Sequence, residues 1–180
     1  MDHLLDKEVE KYTKLRNIFK PQISSHHLSS AKIAFETLRM KSGDTILDAG
    51  AGMGYQTEWF KSHGLITYYT DIVPMFKDCI KIPIWDMHFI DKTDWVFCVD
   101  VLEHIPTEMI DKSISELKRI ATKGMYLDIC CREDNNGKLI NEKLHLTVKP
   151  PEWWLDKLNI PNARHVYKND QLIVCSSTYK

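Results

Sequence analysis

The 180-residue sequence predicts an α/β fold: a mostly parallel sheet with helices on both faces. Three observations carry that expectation. Ile46 and Leu47 form an apolar run that feeds Asp48 and then glycines at alternate positions, Gly50, Gly52 and Gly54. This reads as a buried strand, a tight turn and a helix start. A second strand-like run, residues 65–70, leads into Asp71, twenty-three residues past Asp48. A third, residues 95–99, is continuously apolar and runs into Asp100-Val101-Leu102-Glu103-His104-Ile105-Pro106. Strands of this kind, alternating with helical segments, build a parallel sheet.

The elements follow in chain order. Leu4, Leu5, Val9, Tyr12, Leu15, Ile18 and Phe19 recur at helical spacing among charged residues, so an amphipathic helix runs to about Pro21. A second helix is expected over residues 29–40, capped by Ser29 or Ser30 and followed by Gly43. His26 and His27 fall in the link between the two helices. Residues 57–63 make a short helix that Gly64 ends. Residues 72–80 are too short for a full helix and strand. Residues 82–85 form another strand-like run, ending in Asp86-Met87-His88. Residues 107–121 place Ile110, Ile114, Leu117 and Ala121 on one helical face, with Gly124 closing the helix. Residues 125–130 form a fifth strand, and residues 133–138 a polar loop. Residues 151–158 begin a helix with Pro151 in its first turn. Residues 163–166 and 172–176 form an antiparallel pair around Lys168-Asn169-Asp170.

Length implies a single domain that can bury its own core. Charges nearly balance, with 24 Lys and Arg against 25 Asp and Glu, and no long basic run marks a nucleic-acid or anionic-membrane surface. No apolar run reaches membrane-spanning length, and no signal peptide opens the chain. The five cysteines are odd in number and lack C-x-x-C spacing, which argues against a disulfide framework or a zinc site and fits a reducing, cytoplasmic setting.

The Gly-rich turn lets the backbone bend sharply and lets a ligand approach main-chain N–H groups. An acid about twenty residues beyond such a turn is placed to hold two ribose hydroxyls. The chain therefore reads as built around a nucleoside-containing cofactor. The dinucleotide fingerprint G-x-G-x-x-G does not fit, because the third glycine comes one residue early and Tyr55 takes the sixth position.

The string Leu47-Asp48-Ala49-Gly50-Ala51-Gly52-Met53-Gly54 instead resembles the first motif of class I S-adenosylmethionine-dependent methyltransferases. The resemblance extends from about Lys41 to the C-terminus through Asp71, Asp86 and Asp100–His104. It implies a Rossmann-like, mostly parallel seven-stranded sheet with an antiparallel terminal strand. Residues 42–180 would be this core, and residues 1–41 a helical cover over the pocket. The cofactor implied is S-adenosyl-L-methionine, held by Asp48, Gly50, Gly52, Gly54, Tyr55, Asp71, Ile72 and Asp100. Asp86 and Met87 match the positions that contact adenine, by an acid and a backbone N–H respectively. Aromatic faces favour a sulfonium, and Tyr12, Tyr55 and Trp85 are candidates.

Methyl transfer from a sulfonium requires alignment, removal of water and a competent nucleophile. His104 is placed to accept a proton near neutral pH. His145, in Leu144-His145-Leu146-Thr147-Val148-Lys149-Pro150-Pro151-Glu152-Trp153-Trp154, should overhang the same pocket. Trp153 and Trp154 anchor the following helix or offer a stacking surface. The expected activity is O-methylation of a small-molecule or sugar-containing acceptor. Methylation of a terminal ribose on a nucleic acid is a second reading, which the balanced charge disfavours. A cofactor-binding partner protein without catalysis is a third. Asp100, Glu103 and His104, at i, i+3 and i+4, could share one face and bind a divalent ion with His145. Similar Glu-x-x-Glu-His sites carry glutamate where this chain has Asp100. The expectation is no metal.

Overall fold

The computed structural model describes residues 2–18 and 25–177. One sheet contains seven strands: β1 (Thr45–Ala49), β2 (Ile66–Asp71), β3 (Ile80–Lys81), β4 (Thr93–Val99), β5 (Ala121–Cys130), β6 (Arg164–Lys168) and β7 (Gln171–Ser177). Their spatial order is β3-β2-β1-β4-β5-β7-β6. The first five are parallel, and β7 runs antiparallel between β5 and β6. Chain order reverses at β1, which pairs with β2 on one side and β4 on the other. In an open α/β sheet this reversal leaves a crevice at the carboxyl ends of the strands.

The helices are α1 (Asp2–Ile18), α2 (Ser25–Leu38), α3 (Tyr55–Ser62), α4 (Ile110–Ile120) and α5 (Pro151–Leu158). Strand residues alternate between two cores, as a period of two requires. Leu47, Val96, Cys98, Leu127 and Ile129 face α4 and α5 through Ile114, Leu117 and Trp154. Ile46, Trp95, Phe97 and Tyr126 face α2 and α3 through Ala31, Ala34, Leu38 and Phe60. Burial on both faces explains why β4 reads as an unbroken apolar run.

Several expected boundaries move, each for a physical reason. The third strand is Ile80–Lys81, and residues 84–86 form a 3₁₀ turn instead of continuing it. Pro83 has no N–H to give to the ladder, so pairing stops before it. Gly124 does not end a helix. It lies inside β5, where the register with β4 shifts between Thr93 and Trp95, and glycine is at home in such a bulge. Helix α2 begins at Ser25, so His26 and His27 belong to its first turn and not to a link. A 3₁₀ turn, Thr107–Met109, precedes α4.

Helix α1 departs furthest from its apolar pattern. Its most buried side chains are Glu8 and Lys11, each 3% exposed, whereas Ile18 is 62% exposed. Phe19 lies outside the described residues. Among the described residues no helix is long and apolar enough to cross a membrane.

Candidate active site

The strand β1 delivers the chain into the Gly-rich turn, and α3 leaves it. Gly50, Gly52 and Gly54 all have positive φ, at 85°, 55° and 74°. The turn is closed by its own main chain: the Gly50 and Ala51 N–H groups both donate to the Thr70 carbonyl at 2.9 Å, and Gly54 N–H donates to Ala51 at 2.8 Å. Asp48 does not reach the cavity. It is buried and accepts a hydrogen bond from Thr57 Oγ1 at 2.6 Å, which ties the start of α3 to the end of β1.

Asp71 closes β2 and is 8% exposed. Its Oδ2 accepts from Gly52 N–H at 2.9 Å, and its Oδ1 accepts from Val73 N–H at 2.7 Å. Arg16, from α1, donates to the same Oδ1 from Nη2 at 2.9 Å. Across the crevice Asp100 ends β4 with φ of 53°, a conformation uncommon outside glycine and concentrated at functional sites. Its N–H donates to the Asp128 carbonyl at 2.9 Å, and its Oδ1 accepts from Gln171 Nε2 at 3.2 Å.

These residues border a cavity of about 660 Å³ at the carboxyl ends of the strands. Of the expected cofactor residues, Gly50, Gly52, Tyr55, Asp71, Ile72 and Asp100 line it. Asp48, Gly54, Asp86 and Met87 do not. The Asp86 side chain is 44% exposed and lies 3.3 Å from His88 and 3.9 Å from Lys112. Met87 is fully buried, and its sulfur accepts from Thr70 Oγ1 at 3.8 Å. The wall at that end is Ile82, Ile84 and Trp85. Trp154 is buried in the core, and neither it nor Trp153 borders the cavity.

His104 and His145 do come together at the other end. Their ring centroids are 4.6 Å apart at 84°, and Tyr12 from α1 sits edge-on to His104 at 5.9 Å. Each imidazole is fixed through Nδ1: His104 to the Leu144 carbonyl at 3.2 Å, His145 to the Arg132 carbonyl at 2.5 Å. In the tautomer that donates to these carbonyls, Nε2 is left as an acceptor. The loop carrying His145 is itself pinned. Thr147 N–H donates to the Glu103 carbonyl at 2.9 Å and Thr147 Oγ1 to the Ile105 carbonyl at 2.7 Å. The Asp134 carboxylate gathers the Gly137, Leu144 and His145 N–H groups at 2.6, 3.1 and 3.4 Å. These main-chain donors, with His145, hold the Asp134 carboxyl below its ordinary range despite burial.

Electrostatics separate the ionisable groups. Burial and the neighbouring His145 hold His104 down to about 4, so its ring is neutral at neutral pH. Burial and Asp100 push the Glu103 carboxyl well above its ordinary value. Burial and nearby carboxylates do the same to the Tyr12 phenol. Glu103 is fully buried; its Oε1 accepts from Cys130 N–H at 3.0 Å, and Oε2 has no partner among the described residues. Ligand-type atoms of Glu103, Cys130 and His145 lie within 4.8 Å of one another. Asp100 and His104 are not in that group, so the alternative set with i, i+3, i+4 spacing does not come together among the described residues.

Tyr12, named in the sequence as an aromatic candidate, lines the cavity from α1. The residues that sequence reading missed are its neighbours on that helix: Glu8, Leu15 and Arg16 also line the cavity, and Lys11 pairs with Glu8 beside it. A signal was present: positions 8, 11, 12, 15 and 16 are one helical face. The buried polar atoms Tyr12 Oη, Arg16 Nη1 and Gln171 Oε1 have no partner among the described residues. A cavity with hydrogen-bonding groups left over on its walls, an acid at the end of its second strand and a turn of positive φ fits a polar nucleoside cofactor.

Comparison with known proteins agrees with that geometry. The family described as "Methyltransferase domain" matches residues 47–128, from within β1 into β5. No curated protein sequence matches the chain significantly. The 1,6-didemethyltoxoflavin-N1-methyltransferase of Burkholderia thailandensis, solved with S-adenosylhomocysteine, superposes with TM-score 0.68 at 15% identity, over 97% of this chain and 86% of that one. Magnesium protoporphyrin IX methyltransferase of Synechocystis PCC 6803 gives 0.64 at 16% identity, over 98% and 96%. The N-methyltransferase NodS of Bradyrhizobium japonicum WM9 gives 0.60 at 13% identity, over 86% of each chain. Residues 47–128 therefore match a methyltransferase domain, and the chain as a whole shares the fold of methyltransferases solved with S-adenosylhomocysteine.

Proposed function

We propose that the chain transfers the methyl group of S-adenosylmethionine to a hydroxyl of a small-molecule or sugar-containing acceptor. The observation that carries this reading is the pair of fixed imidazoles, His104 and His145, on the wall of the cavity. An alcohol needs a group to take its proton, whereas a neutral amine needs less help. Neighbours named for N-methylation share the fold, so the fold does not set the accepting atom.

The cofactor would lie along Gly50, Gly52, Tyr55 and Ile72, with its ribose on Asp71 and its sulfonium toward Asp100. Asp48 and Gly54 act on it through the shape of the turn. The adenine would rest on the wall of Ile82, Ile84 and Trp85. Asp86 and Met87 enter only as the support of that wall, where Arg119 donates to the Met87 carbonyl at 2.7 Å. When bound, the cofactor supplies an electrophilic methyl group on a sulfonium, open to in-line attack by oxygen. The ring nitrogen of His145 left free by the Arg132 carbonyl takes the acceptor's proton. His104 orients the hydroxyl as a neutral hydrogen-bond acceptor. The loop held by Thr147 and Asp134 keeps water out. The deciding experiment is a mass-spectrometric search of host extract, incubated with enzyme and isotope-labelled cofactor, for oxygen-bound methyl products. Products methylated only on nitrogen or carbon would overturn the reading.

Turnover is expected to survive a strong chelator. Asp100 Oδ1 already accepts from Gln171 Nε2, and the group that meets at Glu103 lacks Asp100. Loss of turnover in chelator, restored by manganese or magnesium and abolished in Glu103→Gln, would reverse this expectation.

A further inference from the structure

We propose that Arg16 competes with the cofactor's ribose for the Asp71 carboxylate, so that cofactor binding loosens helix α1 over the acceptor end of the cavity. The inference rests on the reading of Asp71 as the ribose acid.

Counting acceptor sites gives the argument. An ionised carboxylate offers about four lone-pair sites. Asp71 already fills three, with Val73 N–H and Arg16 Nη2 on Oδ1 and Gly52 N–H on Oδ2. A ribose diol that donates two hydrogen bonds needs one more site than remains. Gly52 and Val73 donate from the main chain of the two turns that shape the site, so neither withdraws without remaking a turn. Arg16 donates from the end of a long side chain on a separate helix. It is the donor that can yield. Its Nη1 is buried without a partner among the described residues, so its present position already leaves one donor unmet.

The attachment of α1 suits a displaceable element. Its most buried side chains are charged. Lys11 pairs with Glu8 and donates to the Lys143 carbonyl at 3.1 Å, and Arg16 holds Asp71. Segments held by polar contacts more than by apolar area open at lower free energy, and a ligand can replace those contacts. Tyr12 stands one turn before Arg16 on the same face and touches His104. Release of Arg16 by the ribose therefore reaches the catalytic end through one helix. This gives an order of events, with cofactor entering before acceptor.

The test uses the full chain and S-adenosylhomocysteine as the probe, by titration calorimetry. Asp71→Asn is expected to bind at least about tenfold more weakly than wild type. Arg16→Gln, which removes the competitor, is expected to bind about tenfold more tightly. Weaker binding in Arg16→Gln would overturn the proposal and make Arg16 a cofactor contact. Unchanged binding in Asp71→Asn would remove Asp71 as the ribose acid, a separate failure that takes the proposal with it. Hydrogen exchange on wild type serves where Arg16→Gln does not fold. The probe is expected to speed exchange of the α1 amides from Glu8 to Arg16, and slowed or unchanged exchange there would also overturn the proposal.

Discussion

Replacing Gly50 with alanine will weaken binding of S-adenosylhomocysteine by at least about a hundredfold. Gly50 sits at φ of 85°, and a Cβ added there would lie 2.5 Å from Val101 Cγ2 and 2.9 Å from Cγ1. A left-handed L-residue costs roughly 1–2 kcal/mol and overpacking typically 1–3 kcal/mol, so about 3 kcal/mol is a middle figure. The strain has one cheap outlet, which is to move the turn away from β4. That movement breaks the paired N–H donations of Gly50 and Ala51 to Thr70 and carries Gly52 off Asp71. The loss thus falls on the cofactor site more than on the core. Gly52→Ala is the internal control, since nothing lies within 4 Å of its added Cβ and only φ of 55° opposes it. It should cost about tenfold. Calorimetry on both variants checks the pair. Equal, small losses would mean that Val101 does not fix the turn.

That contrast shows where sequence pattern carried the structure and where it stopped. Strand β4 was legible because burial on both faces leaves an unbroken apolar run, β1 and β5 through the shorter apolar runs Ile46-Leu47 and Met125-Tyr126-Leu127, and α5 begins where Pro151 can start a helix. Strand β3 was not, because two paired residues have no periodicity and Pro83 cuts the ladder short. Gly124 was misread because glycine marks both a helix end and a strand bulge; pairing with β4 decides between them. At the site, Asp71 and Asp100 followed from their places after strands. Whether Asp86 turned inward depended on the short 3₁₀ turn that carries it, which no spacing rule encodes. Arg16 needed the docking angle of α1. The face through residues 8, 11, 12, 15 and 16 competed with the apolar positions Leu4, Leu5, Val9 and Ile18, and only tertiary contact with a carboxylate 55 residues away settled it.

The two imidazoles will separate in their effects. His145→Gln is expected to lower kcat/KM for methyl transfer by about a hundredfold or more, the range of a lost proton acceptor. His104→Gln is expected to cost about tenfold, the effect of a lost orienting contact. The reason is the position of His104. Burial and His145 hold it down to about 4, so it accepts a hydrogen bond at pH 7 but keeps a proton poorly. Between pH 5 and 8 it therefore adds no inflection to the rate profile. It acts on stability instead, and the sign is fixed. A histidine whose folded value lies below its unfolded value of about 6.5 binds fewer protons folded than unfolded between the two. Its contribution is full above about pH 6.5 and drains away as pH falls toward 4. Glutamine does not titrate. Thermal unfolding of both proteins from pH 7 to 4.5 should thus show wild type losing ground to His104→Gln as the solution becomes acid. A gap that stays constant with pH would place His104 in a wetter setting than its contact with the Leu144 carbonyl and His145 implies. A larger rate loss in His104→Gln than in His145→Gln would hand the proton-accepting role to His104.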